Sequence, residues 1–208
     1  MKIEVECRGS LAEEKFKKLN RFFRKNGKFL GKKERFSVIY FITENEVKKI
    51  KEMKDVTIDL KFRITNKKSE LVLKYGKWGG GDTRKEFSFS IDSNKFDQMI
   101  EFLKILGFYH GVFNATKTYL YKYKDIEFAL VEVPNCCYYF EAEMMVNKNN
   151  IEKANEKIRV ECEKLNLKIF NDTALYKLLD KLNNRKGYRF NFKKQKFSIL
   201  KKRFIDYF

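Results

Sequence analysis

Charged side chains occupy every second position in several β-rich segments of this chain. Near the N-terminus, Glu4, Glu6 and Arg8 alternate with apolar residues. Later in the sequence, Glu141 and Glu143 do the same. Side chains two apart in a β-strand share one face and lie roughly 6.5–7 Å apart along it. Each segment therefore predicts a strand with one charged and one apolar face, and the fold must accommodate a charged face on strand after strand.

The strands between these two Glu-x-Glu pairs carry mainly basic residues. The basic positions are Lys61, Arg63, Lys74, Arg84 and Lys117, with Glu86 close to Arg84. Burying a face of both signs is costly unless something compensates the charges. Phosphates suit Lys and Arg, and hard cations suit carboxylates, so a polyphosphate with Mg²⁺ would satisfy both sets. A solvated outer sheet face shows the same alternation, and periodicity alone leaves both interpretations open.

Helices are predicted by a second kind of periodicity. Apolar residues at helical spacing indicate helices from about Leu11, with Ser10 as its cap, and over 93–106, 151–165 and 173–183. The segments 59–65 and 70–75 flank a turn and predict a hairpin. The order of elements indicates an α+β fold built on an antiparallel sheet or barrel.

Composition narrows the class of protein. The 208 residues include 46 Lys and Arg against 28 Asp and Glu, a net charge of +18, yet 43% are hydrophobic. That apolar content excludes a disordered polycation. No apolar run is long enough to span a membrane, no signal peptide is evident, and the four cysteines lack disulfide or metal spacing. We expect a cytoplasmic protein, monomeric or homodimeric, with no membrane partner.

The C-terminal 25 residues differ from the rest. Residues 184–208 hold nine Lys or Arg, one Asp and seven aromatic residues. We therefore divide the chain into a main domain, 1–183, and a basic, aromatic-rich tail, 184–208. A tail of this composition is typical of contact with RNA or DNA, and also of a solvated charged face.

The ordered series of motifs resembles the CYTH superfamily, also called triphosphate tunnel metalloenzymes. Glu4-Val5-Glu6-Cys7-Arg8 is similar to the N-terminal ExExK signature of that family, with Arg8 in place of the Lys. The likeness covers about residues 1–183 and is to the class IV adenylate cyclase-like branch. It continues through these segments: 59–65, 71–74, 84–86, 106–108, Lys117 and 140–143.

The resemblance implies a closed eight-stranded antiparallel β-barrel, a tunnel, with flanking helices. It implies a triphosphate bound in the lumen by Arg8, Lys61, Arg63, Lys74, Arg84 and Lys117. It implies Mg²⁺ or Mn²⁺ held by Glu4, Glu6, Glu141 and Glu143. The resemblance implies that Glu86 orients water. Glu127 is a second candidate catalytic carboxylate, because its parity lets it partly compensate for Val131.

The implied function is a divalent-metal-dependent phosphohydrolase. Its candidate substrates are tripolyphosphate, a nucleoside triphosphate, thiamine triphosphate and an RNA 5′-triphosphate. A class IV adenylate cyclase is the first alternative. The second is a non-catalytic binder of polyphosphate, nucleotide or RNA, because Val131 stands where the family usually has an Asp. Glu132 is one residue off and belongs to the other face, whereas Glu127 has the parity of Val131.

Overall fold

The structure is a computed structural model that describes residues 2–41, 58–75 and 85–208. The strands are β1 Lys2–Leu11, β2 Lys28–Tyr40, β3 Ile58–Thr65, β4 Lys68–Tyr75, β5 Lys85–Ile91, β6 His110–Tyr123, β7 Ile126–Val133, β8 Cys137–Asn147 and β9 Arg189–Asn191. The α-helices are α1 Glu13–Asn26, α2 Phe96–Ile105, α3 Ile151–Lys164, α4 Asp172–Asn183 and α5 Phe197–Lys201. Short 3₁₀ turns lie at Ser93–Lys95, Lys148–Asn150 and Lys202–Tyr207.

The eight long strands form one antiparallel sheet in the order β1-β8-β7-β6-β2-β3-β4-β5, and β9 pairs with β6. This arrangement with flanking helices confirms the predicted α+β class. β1 and β5 stand at the two ends of the order, so pairing among the described strands does not show the closed barrel that the resemblance implies. No helix among residues 2–41, 58–75 and 85–208 is long and apolar enough to cross a membrane.

The chain divides into two compact units. Of the described residues, the first unit contains 2–33 and 116–178. The second contains 34–41, 58–75, 85–115 and 179–208. Residues 179–208, which include the expected tail 184–208, belong to the second unit.

The first unit packs one face of β1, β8, β7 and the end of β6 against α1 and α3. Phe16, Leu19 and Phe23 of α1 are buried there at helical spacing. The expected start of this helix is wrong: β1 continues to Leu11, and Ser10 is a strand residue, not a cap.

Gly9 lies inside β1 and allows close packing there. A Cβ at Gly9 would lie 2.1 Å from the Lys168 carbonyl oxygen and 2.4 Å from the Phe140 ring. Its neighbour Arg8 accepts a hydrogen bond from the Phe170 amide through its carbonyl, at 2.8 Å. The segment that follows α3 can therefore lie directly against β1 only because residue 9 has no side chain.

The second unit packs the apolar face of β2, β3 and β4 against α2. The rings of Phe62 and Phe96 stack with centroids 4.1 Å apart. Asn66 and Lys67 have positive φ, as a two-residue hairpin turn between β3 and β4 requires. The predicted hairpin is thus present, and its turn fixes which residues of β3 and β4 face each other.

Residues 184–208 are part of the core of the second unit. β9 pairs with His110–Val112 of β6, and a Cβ at Gly111 would lie 2.0 Å from the Ile39 carbonyl oxygen. Four aromatic rings of this segment are buried: Phe190, Phe192, Phe197 and Phe204. The aromatic residues that made the segment look like a nucleic-acid-binding tail therefore serve mainly to close a hydrophobic core.

Candidate functional site

A group of carboxylates covers one face of the sheet in the first unit, opposite to the face that packs on α1 and α3. In the register of β1, β8 and β7, Glu6 lies across from Glu143, which lies across from Glu127. Directly paired residues have Cβ atoms about 4.5–5.5 Å apart. We call the five carboxylates of this face the acidic cluster: Glu4, Glu6, Glu127, Glu141 and Glu143.

Three members of the acidic cluster converge closely enough to share one cation. One carboxylate oxygen from each of Glu4, Glu6 and Glu143 lies within 4.8 Å of the others. Carboxylate oxygens are the donors that hard divalent cations such as Mg²⁺ and Mn²⁺ prefer. The donor set therefore fits the metal that the resemblance implies. Glu141 makes a different contact and is not in this group.

Arg8 links two of the carboxylates. Its Nε lies 2.5 Å from Glu6 Oε1 and donates a hydrogen bond of 2.8 Å to Glu141 Oε1. Burial alone would lower the pKa of Arg8, but the Glu141 and Glu6 carboxylates outweigh it and raise that pKa. Arg8 therefore stays charged, and it offsets part of the negative charge on this face.

The remaining charge is not fully compensated. The pKa of Glu6 rises from 4.5 to about 8, mainly through burial, and further through Glu141 and Glu4, although Arg8 opposes this. Burial also raises the pKa of Glu143, to about 7, with the charges of Glu4, Glu127 and Glu141 adding to it. Raised pKa values favour the protonated forms of Glu6 and Glu143, so a cation that binds this face would displace protons from it.

Two residues near the acidic cluster were not predicted from the sequence. The charge of Lys33, on β2, reaches Glu143 and lowers its pKa. Tyr139 lies two residues before Glu141 on the same face of β8, where burial and then the Glu141 charge raise its pKa. The alternation along β8 could have indicated Tyr139. Lys33 lies in a run with several cations, and no local pattern distinguishes it.

A set of cations lies on one face of β3 and β4 in the second unit. Arg63 Nε donates to Glu70 Oε1 at 2.7 Å, and its Nη2 lies 3.9 Å from Glu86 Oε1. Lys74 Nζ lies 2.9 Å from Glu86 Oε2. Lys61 shares their face, and its Nζ lies 2.6 Å from Asp59 Oδ2. We call Lys61, Arg63 and Lys74 the β3–β4 cations.

Glu70 and Glu86 connect these cations into a network. Burial alone would raise the pKa of Glu70, but hydrogen bonds from Arg63 and Ser88 outweigh it, and the net pKa lies below the ordinary value. Glu70 was not predicted from the sequence. The two-residue turn at Asn66 and Lys67 would have identified it, because it pairs Arg63 with Glu70 directly. Glu86, predicted to orient water, lies within ion-pair distance of Arg63 and Lys74.

Three further predicted positions have different outcomes. Lys117 pairs with Glu132 of β7. Both residues lie on the face of the sheet that α1 and α3 cover, so Lys117 is not on the face of the acidic cluster. The residues of β6 that share the face of Glu127 have even numbers, and Lys117 is odd. Arg84 lies outside the described residues. Val131 does share the face of Glu127 and is only 2% exposed, directly opposite Tyr139.

No protein-family model and no curated protein matches this sequence. Solved structures do match it. A protein of Pyrococcus horikoshii is 25% identical, with a TM-score of 0.66 over 86% of this chain and 99% of the other. A candidate adenylate cyclase from Vibrio parahaemolyticus is 12% identical, with a TM-score of 0.58 over 83% and 91%.

A third match is a candidate adenylyl cyclase from Hippeastrum, which has a dominant triphosphatase activity. It is 13% identical, with a TM-score of 0.57 over 86% of this chain and 96% of the other. At these identities the likeness is one of fold. The fold resemblance inferred from the charged motifs of β1 and β8 is thereby confirmed.

Proposed function

We propose that this chain, whose fold is that of the CYTH superfamily, is a divalent-metal-dependent phosphohydrolase that acts on a triphosphate. The observation that carries the proposal is the convergence of Glu4, Glu6 and Glu143 within 4.8 Å. Carboxylates this close, on a face with raised pKa values, favour a bound cation over three separate solvated charges. The dominant triphosphatase activity of the Hippeastrum protein supports the choice of reaction.

In this proposal Glu4, Glu6 and Glu143 hold Mg²⁺ or Mn²⁺. Such an ion would neutralise phosphate charge and lower the pKa of a water molecule. Arg8 orients the Glu6 carboxylate through their 2.5 Å ion pair. It also holds Glu141 in an ion pair, so Glu141 does not compete with Glu4, Glu6 and Glu143 for the metal ion. Glu141, predicted as a metal ligand, thus has the role of positioning Arg8.

The β3–β4 cations are proposed to bind the phosphate oxygens. Arg63 offers a planar guanidinium that suits a phosphate, and Lys61 and Lys74 supply compact charges. Glu70 and Glu86 hold Arg63 and Lys74 in place at 2.7 and 2.9 Å. A triphosphate would compete with these carboxylates for the two cations, which predicts a phosphate-dependent change in their pairing.

Glu127 is proposed as the base. It lies across from Glu143 in the β7–β8 register, which places a carboxylate beside the proposed metal ligands. It would accept the proton of the attacking water as the new bond to the γ-phosphorus forms. The bond from that phosphorus to the bridging oxygen then breaks, and the products are orthophosphate and the shortened phosphate chain. We also propose the closed barrel that the resemblance implies.

Adenylate cyclisation is the first alternative, because the Vibrio parahaemolyticus and Hippeastrum proteins are described as candidate cyclases. It uses the same metal and phosphate groups. The 3′-hydroxyl of ATP would attack the α-phosphorus, and pyrophosphate would leave. The products therefore distinguish it from the hydrolase.

Non-catalytic binding is the second alternative, and Val131 favours it. A buried valine, 2% exposed, occupies the position at which the resemblance predicts an Asp. A face with one carboxylate fewer could still bind a metal and a polyphosphate without hydrolysing it.

Analysis of the reaction products distinguishes the hydrolase, the cyclase and the non-catalytic binder. The protein is incubated with Mg²⁺ or Mn²⁺ and either tripolyphosphate or ATP, and the products are separated by ion-exchange chromatography. Orthophosphate from tripolyphosphate supports the hydrolase. Cyclic AMP with pyrophosphate from ATP contradicts it in favour of the cyclase. A rise in melting temperature with tripolyphosphate, without any product in either metal, contradicts it in favour of the binder.

A further inference from the structure

The C-terminal segment of the second unit buries four of its seven aromatic rings and exposes seven of its nine cations. Residues 184–208 contain nine Lys or Arg and one acidic residue, Asp206. Phe190, Phe192 and Phe204 are buried in the core, so they are not available to stack on nucleobases. A ligand of this segment would therefore meet mainly positive charge.

Two of these cations lie over one tyrosine ring, and each has an exposed lysine beside it in the sequence. The Arg185 guanidinium carbon lies 3.6 Å from the centre of the Tyr188 ring, and that of Arg203 lies 5.5 Å from it. Arg203 also donates a hydrogen bond to the Gly187 carbonyl oxygen, which brings the 186–187 turn next to residues 202–203. We call the following group the Tyr188 cluster: Arg185, Lys186, Lys202 and Arg203.

The turn at Gly187 is built for this approach. Gly187 has a φ of +76°, in the left-handed region that glycine tolerates best. A Cβ there would lie 2.9 Å from Arg203 Nη1. A side chain at residue 187 would therefore strain the backbone and push the Arg203 guanidinium away, and the cluster depends on the glycine.

The Tyr188 cluster lacks acidic partners in the described part of the chain. Arg185 donates to the Leu182 carbonyl at 3.3 Å and to Asn114 Oδ1 at 3.2 Å. Its Nη1 is buried and has no hydrogen-bond acceptor among the described residues. Lys186 and Lys202 are exposed. Like charges held together in this way repel one another, and a polyanion relieves that repulsion.

We propose that the Tyr188 cluster binds the sugar–phosphate backbone of single-stranded RNA. Guanidinium and ammonium groups match successive phosphates, and phosphate contacts carry no sequence information. Because Phe190 and Phe204 are buried and the Arg185 guanidinium lies on the Tyr188 ring, we expect binding that is independent of base identity. This partner goes beyond the proposed triphosphatase activity and does not depend on it.

A membrane surface is the competing polyanion, and the structure favours it less. Interfacial binding needs an apolar face that enters the lipid below the cations. α5 has only five residues, and its Phe197 is buried. Ile199 and Ile205 are exposed, but two separate side chains do not form such a face.

The test measures fluorescence anisotropy of a labelled single-stranded RNA with a 5′-hydroxyl end, which offers no triphosphate to the acidic cluster. The variant Lys186→Gln/Lys202→Gln removes two charges that make no ion pair in the described structure. The matched control, Lys18→Gln/Lys25→Gln, removes two exposed charges from α1. We expect about fivefold weaker binding or more for the first variant, and a salt slope lower by about 1.4, since each single-strand phosphate contact contributes about 0.7. The control should bind like the wild type.

Equal weakening in both double variants would show general attraction to a polycation and overturn the proposal. So would the absence of RNA binding at low salt, or binding to phosphatidylserine vesicles without binding to RNA. Tripolyphosphate turnover by the same proteins is a separate readout, because neither variant touches the acidic cluster or the β3–β4 cations. If the wild type turns over tripolyphosphate but does not bind RNA, only the RNA proposal fails; if it binds RNA through these lysines without turnover, only the proposed function fails.

Discussion

Raising the pH from 6 to 8 should strengthen Mn²⁺ binding by the acidic cluster about 500-fold, because the metal must displace protons from Glu6 and Glu143. Their pKa values in the metal-free protein are about 8 and about 7. At pH 6 the two protons together weaken binding by roughly three orders of magnitude, and at pH 8 only about twofold. Affinity rises with pH because both carboxyl pKa values are raised, so protons compete with the metal between pH 6 and pH 8.

Isothermal titration calorimetry in buffers of different ionisation enthalpy measures both the affinity and the protons released. We expect about two protons per Mn²⁺ at pH 6 and few at pH 9. Glu143→Gln is the control: the pKa of Glu6 is raised by burial and by Glu141 and Glu4, so one proton should remain and the pH dependence should fall to about 50-fold. An affinity that does not change with pH in the wild type, with no proton release, would refute the reasoning.

The same pKa values predict how stability without metal depends on pH. Because the folded-state pKa values of Glu6 and Glu143 lie above their ordinary value of 4.5, these groups stabilise the fold fully below that pH. Their contribution is lost as the pH rises through about 7 to 8. The melting temperature in a chelator should therefore fall between pH 6 and pH 9, and Mn²⁺ should restore it at the higher pH. A melting temperature that rises across this range in the chelator would contradict the assignment.

Three further predictions concern other parts of the molecule. Arg63→Gln should raise the KM for tripolyphosphate about ten- to hundredfold, which corresponds to the loss of one charge-assisted hydrogen bond. An unchanged KM would show that Arg63 is not part of the proposed phosphate site. Phe204→Ala should cost about 3–5 kcal/mol of unfolding free energy in urea, whereas Ile199→Ala, at a position 64% exposed, should cost under about 0.5 kcal/mol. Gly9→Ala should lower stability by about 3 kcal/mol or more, because the new Cβ would overlap a carbonyl oxygen; a melting temperature like that of the wild type would contradict this packing.

The acidic cluster was largely predictable because it depends on one rule, the two-residue period of a strand. Glu4 and Glu6 share a face wherever β1 lies, and so do Glu141 and Glu143 on β8. Whether the two pairs meet depends on the register, which places Glu6 across from Glu143. The pairing of β1 with β8 could be expected from the sequence only through the family resemblance.

The predictions that failed needed information that a single strand does not carry. Lys117 pairs with Glu132 of β7, so it lies on the face opposite to that of Glu127, and this register cannot be read from β6 alone. Likewise, composition made residues 184–208 look like a solvated tail, since nine cations outweighed the apolar signal. Phe190 and Phe204 fill a core built by residues distant in sequence, such as Phe113, and no local pattern identifies such partners.

The most direct test of the proposed chemistry is the rate of orthophosphate release from tripolyphosphate in Mn²⁺, measured for the wild type and for Glu143→Gln. The substitution removes one of three converging carboxylate donors, so we expect turnover in the wild type and a loss of about a hundredfold or more in the variant. Circular dichroism should show the same fold in both proteins. Equal turnover in the two, or none by the wild type in either Mg²⁺ or Mn²⁺, would contradict the assignment of this face as a catalytic metal site.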